Sequence, residues 1–268
     1  MPFTDHRGVR LRWDEKGQGG PILLIMGHRY SGALWYPALD ALAAEHRVIW
    51  FDNRGTGDSD TTPRVTLAEL AGDALAVMDA AGVERAHVFG VSMGGVIALE
   101  VALQQPGRVT SLVLGCTGVL TPDKPRMPAA MRLLYHLPPR MLALLAPGRR
   151  GDKGYGSAAT PERIAADLAV LAKDRSTVRG LKAQAAAIAG YSTTREAVAA
   201  LPQPALVLHG DEDSTVPFAY GAELAQTLAH GRLVTLAGAG HNFFIAAGET
   251  ANQAVLDFLR AVDAGETP

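Results

Sequence analysis

Short, almost uninterrupted apolar runs recur along this chain, and they constrain its fold more than any other feature. "RVIWFD" (Arg47 to Asp52), "AHVFGV" (Ala86 to Val91), "SLVLGC" (Ser111 to Cys116), "PALVLHG" (Pro204 to Gly210) and "RLVTLAG" (Arg232 to Gly238) follow one another. A strand with one face in water alternates apolar and polar residues, whereas a strand covered on both faces does not need to. The runs therefore read as strands of a parallel sheet with helices on both sides. Upstream, "GVRLRWDEKG" and "PILLIMG" flank a Gly/Gln turn and predict a hairpin.

Between the runs lie segments with a helical period. Thr66 and Glu69 form a capping box, and Leu67, Leu70, Ala71, Ala74, Leu75 and Met78 follow on one face, with Gly82 as the stop. Ala251, Ala254, Val255, Phe258, Leu259 and Val262 make a second stripe. Strand–helix alternation of this kind predicts a layered α/β domain. The rhythm breaks between Gly118 and Leu201, where "MPAAMRLLYHLPPRMLALLAP", "TPERIAADLAVLAKD" and "TVRGLKAQAAAIAGY" read as helices with no strand among them. Ile164, Leu168 and Leu171 share a face there, as do Val178, Leu181, Ala185 and Ile188. This insertion is either a bundle with its own small core or an apolar cap over a pocket.

A net charge of −2 gives no electrostatic footprint for nucleic acid or an acidic membrane surface. No window approaches the ~20 apolar residues of a membrane helix. The polar start "MPFTDHRGVRLRW" carries no signal-like apolar segment, so a cytoplasmic location is expected. The single cysteine, Cys116, leaves no internal disulfide and no thiolate metal cluster to build.

"VFGVSMGGVIAL" places Ser92 among Gly90, Gly94 and Gly95, directly after an apolar strand and before a helix. Gly90-Val91-Ser92-Met93-Gly94 is a G-x-S-x-G motif in the strand–turn–helix setting that exposes a serine hydroxyl in a strained turn. A serine needs a base within hydrogen-bond reach, and the base needs an orienting group. His241 in "LAGAGHNFF" and Asp213 in "HGDEDSTVP" each follow the end of a strand, where open α/β sheets gather functional groups. Asp211 and Glu212 compete with Asp213, whose spacing from the preceding glycine and the following Val-Pro favours it. His6, His46, His136 and His230 read as loop or surface residues, and His87 and His209 as satisfied near the core. The backbone N–H of Met93 and that of His28 in "IMGHRYSG" are the candidate oxyanion donors.

These motifs, with "LLIMGHRYSGALWYP" and "VIWFDNRGTGDSD", resemble the α/β-hydrolase fold family in order and spacing. The resemblance covers the chain outside the insertion, which matches the family's cap domain. It implies a mostly parallel eight-stranded sheet flanked by helices, with residues 1–117 and 201–268 as core and 118–200 as helical cap. It carries Ser92 over as nucleophile, Asp213 as acid, His241 as base, and His28 and Met93 as oxyanion donors, with no cofactor or metal. The family usually has His-Gly where this chain has Met26-Gly27, so what supports that loop is open. Arg29 and Trp35 are candidate substrate contacts, against solvent for Arg29 and core for Trp35. Arg54 reads as a structural anchor.

The expected activity is hydrolysis of a carboxylic ester or lactone of a small to medium apolar molecule. "FDNRGTGDSD" and "GVSMGG" are similar to stretches of enol-lactone hydrolases, which puts lactonase first. Thioester or C–C bond hydrolysis, perhydrolysis and a non-catalytic ligand-binding role are the alternatives. The expected partner is a small molecule, with no nucleic acid or membrane, and the oligomeric state is open.

Overall fold

The computed structural model describes residues 2–123 and 154–266. The predicted helical stretch over 127–147, with His136, lies outside them. Strands β1 (Phe3–His6), β2 (Val9–Lys16), β3 (Gly20–Ile25), β4 (His46–Phe51), β5 (Ala86–Val91), β6 (Val109–Gly115), β7 (Ala205–Gly210) and β8 (Gly231–Leu236) form one eight-stranded sheet in the order β1-β2-β4-β3-β5-β6-β7-β8. From β4 to β8 every pairing is parallel, and β1 and β2 add an antiparallel edge.

The predicted hairpin between β2 and β3 does not form. β2 pairs with β1 across a two-residue turn, and β3 lies beyond β4. Arg7 and Gly8 both have positive φ (54° and 76°), the backbone that matches a tight hairpin turn to the twist of its strands. β3 is buried along most of its length and takes a place between β4 and β5, whereas β2 ends in exposed polar residues suited to the outer part of the sheet.

Alternate residues of each central strand feed opposite cores. Ile22, Leu24, Val48, Trp50 and Phe89 face helices α1 (Tyr36–Ala43) and α8 (Phe243–Asp263). Leu23, Ile25, Ile49, Phe51 and Val88 face α2 (Leu67–Ala80) and α3 (Met93–Gln104), with Leu224 and Ala225 of α7 (Phe218–Thr227) in the same core. Between β6 and β7 come α4 (Pro161–Leu171), α5 (Val178–Gly190) and α6 (Arg195–Ala199). Thr160, Thr177 and Thr194 each accept a backbone N–H at the start of one of these helices.

The α5 stripe is rotated from the predicted one. Val178 is 43% exposed, and Gly180, Leu181, Gln184 and Ala187 face inward. The reason is a close backbone approach: a Cβ on Gly180 or on Gly55 would collide with the other residue's main chain. Thr177 N–H donates to the Gly55 carbonyl at 3.0 Å, so α5 is seated on the loop after β4.

Two expectations about histidines are corrected. His46 opens β4 and is only 3% exposed, with its Nε2 3.6 Å from Asp263. His87 Nε2 lies 3.0 Å from the same carboxylate, so the end of α8 is tied to the starts of β4 and β5. His6 ends β1 half-buried, its Nδ1 2.6 Å from Asp73. Asp73 is fully buried on the inner face of α2, where Arg54 grips it with Nε and Nη2. The capping box of Thr66 and Glu69 is present as expected.

Removing one member of a buried ion pair leaves the other charge uncompensated, at a cost of about 3–5 kcal/mol. Asp73→Ala is expected to lose about that much stability, read as a lower urea midpoint at unchanged m-value.

Candidate active site

Ser92 sits between β5 and α3 at φ 57° and ψ −119°, a conformation that side chains other than glycine rarely adopt. Its N–H donates to Gly115 at 2.8 Å, and its carbonyl accepts from Thr117 Oγ1 at 2.9 Å. The glycines around it are required by close packing. A Cβ on Gly90 would collide with the Gly94 carbonyl, and one on Gly94 would collide with the Ile25 carbonyl. The turn is therefore pressed against β3 and cannot accept side chains at those positions.

His241 follows β8 and Asp213 follows β7, and the fold brings both to Ser92. His241 Nε2 lies 3.0 Å from Ser92 Oγ, and its Nδ1 lies 2.8 Å from Asp213 Oδ2. A carboxylate only accepts, so Nδ1 carries the proton and Nε2 is left to accept from the serine hydroxyl. Asp213 Oδ1 accepts the N–H groups of Thr215 and Val216 at 2.8 and 2.9 Å, which fixes the carboxylate plane. The competing acids are engaged elsewhere: Asp211 accepts from Gly238 N–H and Glu212 from Ser157.

Burial alone would raise the Asp213 carboxyl, but His209, His241 and the Val216 N–H outweigh it and hold the group well below the usual carboxylate range. For His241, burial opposes the charged ring, and the neighbouring Cys116 sulfur together with the Asp213 carboxylate overcomes it, so the imidazole is raised above its ordinary 6.5. Burial also pushes the Cys116 thiol up, so a neutral sulfur packs against the imidazole.

The loop after β3 is supported from two sides. Asn53 donates to the Met26 carbonyl at 2.9 Å, and Asp52 accepts the Gly32 N–H at 2.8 Å. From the inserted segment, Gln184 accepts the Arg29 N–H at 3.1 Å and donates to the Arg54 carbonyl at 2.8 Å. Asp174 accepts the Ser31 N–H at 3.2 Å. The His28 ring is buried and donates Nε2–H to the Leu181 carbonyl at 3.1 Å. A Cβ on Gly27 would stand 3.2 Å from Ser92 Cβ, so this backbone passes directly beside the serine. Met93 opens α3, and the N–H groups of a helix's first turn have no partner within the helix.

A cavity of about 580 Å³, counting its mouth, adjoins Ser92 and His241. Met26, Tyr30, Leu34, Leu171, Phe244 and Ile245 give it a mainly apolar wall, and Asp167 of α4 a polar point. Two expected substrate contacts are not in that wall. Arg29 is absent from it, and fully buried Trp35 stands behind, edge-on to Phe244 with ring centroids 5.6 Å apart. Asp167 was not anticipated, although a sequence signal exists: it falls on the same helical face as Ile164 and Leu171. Burial pushes its carboxyl up, against hydrogen bonds from Tyr155 and Tyr36.

Residues 22–254 match the alpha/beta hydrolase family. The chain belongs to that family. It is 31% identical over 276 residues to a protein of Azorhizobium caulinodans named as the carbamate hydrolase RutD, covering 98% of this chain and 100% of the relative. It is also 31% identical over 269 residues to one of Mycobacterium tuberculosis named as the non-heme bromoperoxidase BpoC, with 96% and 100% covered. The enol-lactonase of Burkholderia xenovorans LB400 has a similar structure, with a TM-score of 0.78 at 26% identity over 97% of this chain and 100% of that one. These likenesses support a hydrolytic role for this member of the alpha/beta hydrolase family. Among the described residues, no helix is long and apolar enough to cross a membrane.

In Gln184→Leu the Arg29 N–H and the Arg54 carbonyl lose their partner. Leaving buried polar groups unsatisfied costs about 1–3 kcal/mol each. The variant is expected to unfold at lower denaturant and to show faster amide hydrogen exchange at Arg29.

Proposed function

We propose that this protein is a serine hydrolase that cleaves a carboxylic ester or lactone of a small to medium molecule through an acyl-enzyme. The observation that carries the reading is the unbroken hydrogen-bond chain from Asp213 through His241 to Ser92. Ser92 Oγ attacks the carbonyl carbon as His241 Nε2 takes its proton. Asp213 holds the ring tautomer and stabilises the imidazolium that forms. The N–H groups of Met93 and His28 receive the developing oxyanion, with the start of α3 adding a favourable dipole. His241 then returns its proton to the leaving oxygen, and water repeats the sequence on the acyl-enzyme.

The segment between β6 and β7 is read as a cap, since Asp167 and Leu171 supply pocket wall and Gln184 and Asp174 brace the oxyanion loop. The substrate sought is a small molecule. The same relay can act on a carbamate carbonyl, the bond named for the RutD relative. A panel of esters, lactones, thioesters and carbamates ranks these substrates by kcat/KM.

A fluorophosphonate probe is expected to label Ser92. Ser92→Ala should abolish labelling and lower kcat by about 10⁴–10⁶-fold. An intact fold without labelling would instead identify a ligand-binding homologue. The pH profile provides a second test. His241 acts as base only when neutral, and its raised value moves the loss of activity on acidification to a midpoint above 6.5. Asp213→Asn should shift that midpoint downward and slow turnover on the order of 10⁴-fold.

A further inference from the structure

The proposed relay leaves one pocket group without a task. Asp167 is only 4% exposed yet belongs to the wall of the cavity that holds Ser92. Tyr36 donates its hydroxyl to Oδ1 at 3.0 Å, and Tyr155 donates to Oδ2 at 2.7 Å. Both partners are neutral phenols, and among the described residues no Lys or Arg lines the cavity. A purely structural acceptor for two phenols does not require a charge, and burying a carboxylate without a cation is costly. Each carboxylate oxygen has more than one acceptor direction, so two phenols do not saturate the group. Tyr30 and Phe244 add aromatic surface to the same wall, and aromatic faces favour cations.

We propose that Asp167 is a recognition subsite for an ammonium group on the substrate, and that it disfavours substrates carrying a carboxylate at that position. The N–H groups of the ammonium donate to the carboxylate in the acceptor directions that Tyr36 and Tyr155 leave open. A substrate carboxylate would meet a like charge with no Lys or Arg among the described wall residues to offset it. This inference rests on the ester-hydrolase reading for the placement of the substrate carbonyl at Ser92. It also turns the choice of substrate away from anionic lactones, because Arg29, the candidate substrate contact whose charge would offset a carboxylate, is not among the residues that line the cavity.

The test compares ethyl esters of ω-amino acids of three to six carbons with their methyl-ended isosteres and with the half esters of dicarboxylic acids. Aminoalkyl and alkyl acetates form a second set. At pH 8 the ammonium member of at least one matched set is expected to exceed its isostere at least tenfold in kcat/KM, chiefly through KM. The carboxylate member should fall at least tenfold below the isostere. In Asp167→Asn both ratios should collapse to within about twofold. Preference for the methyl or carboxylate member throughout, or ratios that survive Asp167→Asn, would overturn the subsite. If the variant does not fold, the wild-type ratios decide.

A binding arm separates this idea from the reading beneath it. Hexylammonium is titrated by calorimetry into Ser92→Ala and into Ser92→Ala/Asp167→Asn, with hexanoate as control. Tenfold weaker hexylammonium binding in the double variant supports the subsite even if no ester is hydrolysed. Equal binding, or tighter binding of hexanoate to Ser92→Ala, overturns it even if Ser92 is labelled and active.

Discussion

The site depends on one residue held where its side chain is least comfortable. Ser92 occupies a left-handed backbone conformation of a kind that costs about 1–3 kcal/mol and persists only when its surroundings over-determine it. Those surroundings are the Gly115 carbonyl, the Thr117 hydroxyl and the two glycines that let the turn press against β3. The same pressure lifts the hydroxyl toward His241 and leaves the first amides of α3 beside it. The placement of the Ser92 hydroxyl and of the α3 amides thus comes from a single packing constraint, on which the proposed mechanism draws.

A second layer holds the opposing loop. Its supports come from the core, through Asp52 and Asn53, and from the inserted helices, through Asp174, Leu181 and Gln184. Gln184 bridges the two sources, since it bonds both Arg29 and the Arg54 carbonyl. Arg54 in turn is clamped on Asp73 of α2. The sheet, the loop beside Ser92 and the inserted segment are therefore linked by a chain of buried polar contacts, in which Gln184 uses both ends of its amide and Arg54 both its carbonyl and its guanidinium. Met26, in the place where histidine is usual for the family, is compatible with this because the loop is held through its carbonyl and not through its side chain.

Charge is distributed unevenly around the site. On one side, Asp213 is held ionised by His209, His241 and backbone donors. On the other, the hydrogen-bond partners of Asp167 among the described residues are two phenols. Two buried acids in one protein thus have opposite surroundings, and among the described residues no Lys or Arg lines the pocket.

The sequence by itself determined the fold class and singled out the three residues of the proposed relay. Short apolar runs bounded by turn residues point to strands covered on both faces, although β8 takes the less buried edge, and Thr66, Glu69 and Gly82 mark helix ends by local chemistry. Ser92, Asp213 and His241 were legible because each lies just past a strand, where the backbone leaves few alternatives. Only the tertiary structure decided the partners. β2 pairs with β4 because β3 is apolar enough to be drawn between two neighbours, a competition that local pattern cannot express. His46 reads as a surface residue until the end of α8 arrives beside it. Gln184 and Asp167 are polar residues on helix faces, and whether such a group meets solvent, a loop amide or a substrate depends on what is packed against it from elsewhere in the chain. Periodicity reports that a face is buried, but the identity of the neighbour is set by long-range packing.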